Sequence, residues 1–202
     1  PAWVNQFQFQ TESTLISKIE NIKDKLKKEI DRLEEWQEYK LILSSSNEIL
    51  RISLIKLFEN FFLQKIDPED ALKEDFKIQD KDNKILCVVE VKGTNKGIKR
   101  EFINQVDSHR ERNNLPSSVL GVLIINNQMN ICSIEKRLET SIPIEHVRHA
   151  KLLNVLIIRT IDLLFLMKYL EDKNAKNEFE HKIINKGGGW LQANENGYEI
   201  VS

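Results

Sequence analysis

The stretch that most limits what this chain can fold into is Ile85 to Val91. It is a near-continuous apolar run, with turn chemistry before it and a polar loop after it. A strand that alternates polar and apolar residues can leave one face in water. A strand apolar at nearly every position needs cover on both faces. Ile85–Val91 is therefore expected to be a central strand. Val119 to Ile125 and Val155 to Arg159 have the same character. Asp75-Phe76-Lys77-Ile78 gives a shorter strand, and Asp80-Lys81-Asp82-Asn83 supplies a hairpin turn between it and the central run. Helical patterns precede and separate these strands. The expected order is helix, helix, strand, strand, helix, strand, helix, strand, helix. It predicts an α/β fold with a mixed central sheet flanked by helices and a long N-terminal helix in front.

Two segments follow from the same pattern. Residues 1–45 hold a lead-in with Trp3, Phe7 and Phe9, then an amphipathic helix over Leu15 to Leu43 with Thr11 or Ser13 as caps. Ile19, Leu26 and Leu33 share one heptad position. Leu15, Ile22 and Trp36 share its neighbour, broken by Glu29. This fits a coiled-coil dimerisation arm, and equally a long helix packed on its own domain or in an antiparallel helix pair. Residues 46–202 suit one α/β domain. Its first helix runs from Asn47 to about Phe62. Ile49, Ile52, Ile55 and Phe58 form one side, widened by Leu50, Leu54, Leu57 and Phe61. Pro68-Glu69-Asp70 marks a turn, a helix is expected near Asn177 to Ile184, and Gly187-Gly188-Gly189 a flexible turn before Trp190.

The chemistry gathers around the central strand. Strand alternation puts Glu90 and Lys92 on one face, one pleat apart, where a loop opens. Asp75 lies on the hairpin partner. Two carboxylates on neighbouring strands can hold a hard divalent cation, and a lysine beside it can orient an attacking water or steady a phosphate. The stretch after the site carries Lys92, Lys96, Lys99, Arg100, Arg110 and Arg112 against three acids. It is either a phosphate-tracking surface or a solvated helix face. His109 is a phosphate contact or a core-edge residue.

Glu74-Asp75-Phe76 followed by Val88-Val89-Glu90-Val91-Lys92-Gly93 resembles the signature of the PD-(D/E)xK, or restriction-endonuclease-like, nuclease superfamily. Ile103-Asn104-Gln105-Val106-Asp107-Ser108-His109-Arg110 resembles the glutamine-bearing helix of several of its branches. The whole resembles a bacterial and archaeal set in which a charged helical arm, often opening with Pro-x-Trp, leads into such a domain. The resemblance implies a restriction-endonuclease-like fold and a Mg²⁺-dependent deoxyribonuclease, with Mn²⁺ able to substitute. It implies Asp75 and Glu90 as metal ligands with the Val91 carbonyl, Lys92 as the catalytic lysine, and Gln105 beside the water or a phosphate. DNA is then the partner, contacted by Lys96, Lys99, Arg100, His109 and Arg110. A homodimer through the arm, or a partner domain in a longer chain, completes the expectation. Many members carry a further glutamate on the helix before the first strand. Here that slot falls at Leu50-Arg51, and Glu48, one turn away, is the candidate substitute. The alternative is a catalytically silent nuclease-fold module for DNA binding or protein interaction.

The remaining features narrow the class. Net charge is −1, so any basic surface is local. Cys87 and Cys132 lack zinc spacing and are expected as reduced core residues in a cytoplasmic protein. No apolar stretch reaches the length of a membrane span. His146 and His149 have no partner cluster for a metal, and the glycine run has no Lys-Ser/Thr after it as a phosphate loop would.

Overall fold

The computed structural model describes residues 2–68, 75–173, 175 and 179–202. Glu69, Asp70, Glu74 and Asn177 lie outside them. The chain forms two compact units, Pro1–Glu38 and Tyr39–Ser202.

The first unit is dominated by helix α1, Gln10–Lys40. Its interior has no Gly or Pro and is rich in Lys, Glu and Leu, which hold helices well. Its start is set neither by Thr11 nor by Ser13. Glu12 reaches back to accept from the Phe9 N–H at 3.3 Å, which satisfies a donor the helix leaves free. Leu15, Ile19, Ile22, Leu26, Ile30 and Leu33 are exposed.

In the second unit, α2 spans Asn47–Asn60. Leu50, Leu54, Leu57 and Phe58 are buried, whereas Ile49 and Ile52 are exposed. The buried face is thus the one centred on Leu50 and Leu54, not the Ile49–Ile52 side. Seven strands form one sheet: β1 (Lys65–Asp67), β2 (Phe76–Gln79), β3 (Ile85–Gly93), β4 (Leu120–Asn126), β5 (Val155–Arg159), β6 (Gly189–Asn194) and β7 (Gly197–Val201). Their spatial order is their chain order. The β1–β2, β2–β3 and β6–β7 pairs are antiparallel, and β3 through β6 run parallel. The β2–β3 turn is closed by Asp80, whose Oδ1 accepts from the N–H of Asp82 and of Lys84, both at 2.9 Å.

Between the parallel strands lie α3 (Arg100–Arg112), α4 (Ile134–Glu139), α5 (Ile144–Leu152), α6 (Thr160–Asp172) and the short α7 (Phe179–Lys182). Helices α3 and α5 cover the sheet face that carries Val88, Leu123, Val155 and Ile157. Helix α2 covers the opposite face, where Phe58 meets Phe76 at a ring separation of 5.9 Å. Among the described strands and α-helices, β1, α5, β6 and β7 go beyond the expected order. The glycine run leads straight into β6, because Trp190, paired with Ile157, is drawn into the core. Cys87 is buried, and burial pushes its thiol up to about 12. Cys132 is exposed rather than in the core, because its segment before α4 forms no strand. No helix among the described residues is long and apolar enough to cross a membrane.

One buried ion pair ties the C-terminal strands to the rest. Asp162, fully buried at the start of α6, takes Arg159 Nε at 2.6 Å and Nη2 at 2.7 Å. It also accepts from Trp190 Nε1 at 3.0 Å and the Ala193 N–H at 3.3 Å.

Candidate active site

Glu90 sits in β3 with Val88 and Lys92 on the same face, as strand alternation requires. Val88 belongs to the core under α3 and α5, so the neighbouring carboxylate is carried under α3 as well and is only 3% exposed. A charge there needs partners. Gln105 Nε2 donates to its Oε1 at 2.7 Å, and Lys92 Nζ pairs with the same oxygen. Its Oε2 lies 2.8 Å from His109 Nε2. Burial alone would raise the Glu90 carboxyl, but His109 and Lys92 outweigh it and hold it below the usual glutamate range.

Gln105 and His109 reach Glu90 because they are one turn apart on α3, and because α3 lies close on the sheet. Gly121 permits this. A Cβ there would stand 2.6 Å from Val106 Cγ1 and 3.2 Å from Val155 Cγ2.

Asp75 is one residue ahead of β2, not within it, yet it is tied into the ladder. Its N–H donates to the Val89 carbonyl at 3.1 Å, and its Oδ2 accepts from the Val91 N–H at 2.6 Å. Phe76 pairs with Val89, so one step further along the antiparallel register Asp75 stands opposite Glu90. Its carboxyl is raised to about 6. Burial is the main cause; the Val91 N–H works against it, and the charge of Glu90 adds to it.

The sequence-predicted residues thus divide. Asp75, Glu90, Lys92 and Gln105 come together, with the Val91 backbone beside them. Lys96, Lys99 and Arg100 are exposed near the start of α3. Arg100 Nη2 is 3.1 Å from His149 Nδ1, whose other ring nitrogen is 2.6 Å from Asn104 Oδ1. His109 and Arg110 are buried and present nothing to a nucleic acid. His109 faces Glu90. Arg110 holds the Val119 carbonyl at 2.8 Å and the Asn154 carbonyl at 3.2 Å, and also pairs with Asp107 and the Leu153 carbonyl. Glu48 remains exposed and pairs with Arg51 at 2.9 Å. Arg51 is the residue the sequence reading passed over. Its Nε donates to the Asp75 carbonyl at 2.7 Å and its Nη2 to the Pro68 carbonyl at 2.8 Å, which fixes the approach to β2. Its place in the slot of a missing glutamate was the available signal.

Chemically, the arrangement offers hard oxygen donors: two carboxylates and a backbone carbonyl. Among the described residues, the Asp75 carboxylate accepts only the Val91 N–H, which leaves it lone pairs for a small divalent cation. Among the described residues no group of three or more His, Cys, Asp or Glu forms a metal cage. Magnesium does not require one, since it keeps waters and takes substrate oxygens. Comparison with protein-family models, with curated proteins and with solved structures finds no match to this chain.

Proposed function

We propose that this chain is a divalent-metal-dependent nuclease that hydrolyses phosphodiester bonds of DNA on a restriction-endonuclease-like core. The observation that carries the reading is the convergence of Asp75, just ahead of β2, with Glu90 and Lys92 of β3 and Gln105 of α3. Asp75, Glu90 and the Val91 carbonyl would hold Mg²⁺ or Mn²⁺. The bound cation would supply an acidified water and offset charge on the phosphate. Lys92 donates from its ammonium to the attacking water or the phosphate, and is held in place by Glu90. Gln105 fixes the Glu90 oxygen that Lys92 shares. Lys96, Lys99 and Arg100 steady the DNA backbone. The cytoplasm is the compartment in which Cys87 and Cys132 stay reduced.

The test is cleavage of plasmid and single-stranded DNA with Mg²⁺ or Mn²⁺. Nicking by the native protein should fall at least about a hundredfold in Glu90→Ala and in Lys92→Ala. Cleavage that survives both substitutions sinks this assignment of the site.

A second reading has its own support. Lys92, Gln105 and His109 engage both oxygens of Glu90, and α2 presents Arg51 where a further carboxylate would stand. This favours a catalytically silent nuclease-fold module that binds DNA or another protein. Metal-independent DNA binding with no cleavage, by folded native protein, would select it.

A further inference from the structure

Six of the exposed apolar residues of helix α1 form one stripe: Leu15, Ile19, Ile22, Leu26, Ile30 and Leu33. At about 100° per residue they fall within an arc of about 80°. Ile30 closes the gap that Glu29 leaves in the heptad pattern, so the stripe is continuous along a straight helix. A continuous exposed stripe of this kind is a surface for another helix.

The charges along α1 say which helix. Residues 18–28 hold five lysines against two acids, a net of +3. Residues 29–38 hold five acids against one arginine, a net of −4. A parallel second copy would set +3 against +3 and −4 against −4. An antiparallel second copy sets each basic half against an acidic half, at separations within about one Debye length. It also opposes the two helix dipoles. With the overlap centred between Lys27 and Lys28, Ile22 lies opposite the second copy's Leu33, and Leu26 lies beside its Ile30.

We propose that α1 pairs with the α1 of a second copy of this chain, antiparallel, through the Leu15–Leu33 stripe. The pairing stands apart from the catalytic reading and does not depend on it.

The experiment uses the whole chain with Cys132→Ser, since Cys87 is buried and Cys132 exposed. Light scattering should give twice 23.7 kDa. A nitroxide on Ser17→Cys reads orientation. Antiparallel overlap puts the two labels more than about 30 Å apart along the axis, and parallel overlap leaves them within about 20 Å. Leu26→Asp should return the chain to monomer with its helical content unchanged, because Leu26 is 59% exposed and supports no core. A native monomer, a short label separation, or a dimer that survives Leu26→Asp each overturns the proposal.

Discussion

Glu90 shows how a single residue can be both buried and charged. Its charge survives because Gln105, Lys92 and His109 surround it, and Asp75 feels the consequence. The folded pKa of Asp75, about 6, lies above its ordinary 3.8. The folded chain therefore binds this proton more tightly than the unfolded chain does. The resulting stability is fully present below about pH 4 and is lost as pH rises through about 6. Asp75→Asn keeps a neutral group at every pH. It should match the native protein near pH 4 and exceed it at pH 8 by about 1 kcal/mol, after discounting for partial exposure. Urea unfolding at the two pH values measures this; equal offsets at both would contradict the assignment. The grouping of Asp75, Glu90 and Lys92 was legible because strand alternation and a hairpin turn are local rules, whereas Gln105 was expected there only from the family resemblance. The burial of His109 and Arg110 was not legible. Arg110 was read by residue type as a phosphate contact and His109 as either that or a core-edge residue, and only tertiary packing turns them toward Glu90 and toward the carbonyls of Val119 and Asn154.

At the level of elements, the distance between α3 and the sheet decides whether Gln105 and His109 reach Glu90. Gly121 sets that distance. Gly121→Ala would place a Cβ 2.6 Å from Val106 Cγ1 and push α3 outward. The expected cost is about 1–3 kcal/mol of stability. The site should loosen as well, so metal-dependent cleavage should fall further than the fraction of folded protein. A variant with lost stability and full activity would show that α3 can shift without disturbing Glu90. The existence of α2 was legible from its apolar residues, but its buried side was not. Apolar residues lie on both flanks, and the choice between Ile49–Ile52 and Leu50–Leu54 is made by the sheet face carrying Phe76. Helix α5 was missed because its nine residues mix histidines and charges with few apolar positions.

For the molecule as a whole, the three strongest strands and their helices were legible, and the C-terminal hairpin was not. Gly189-Trp190-Leu191 follows a glycine run that reads locally as a flexible turn. What makes it a strand is distant: its ladder with β5 and the bond from Trp190 Nε1 to Asp162. Asp162→Ala would strand the buried Arg159 guanidinium and release Trp190. The expected loss is about 3–5 kcal/mol in urea unfolding, with a change in tryptophan emission. A loss below about 1 kcal/mol would mean that the hairpin is held by its apolar contacts alone. The strand order β1 to β7 carries a kinetic consequence. Each strand pairs with the one made just before it, so none has to insert between two strands already joined. Such a sheet grows from one edge, and its loop-closure cost is met in small steps as the chain leaves the ribosome.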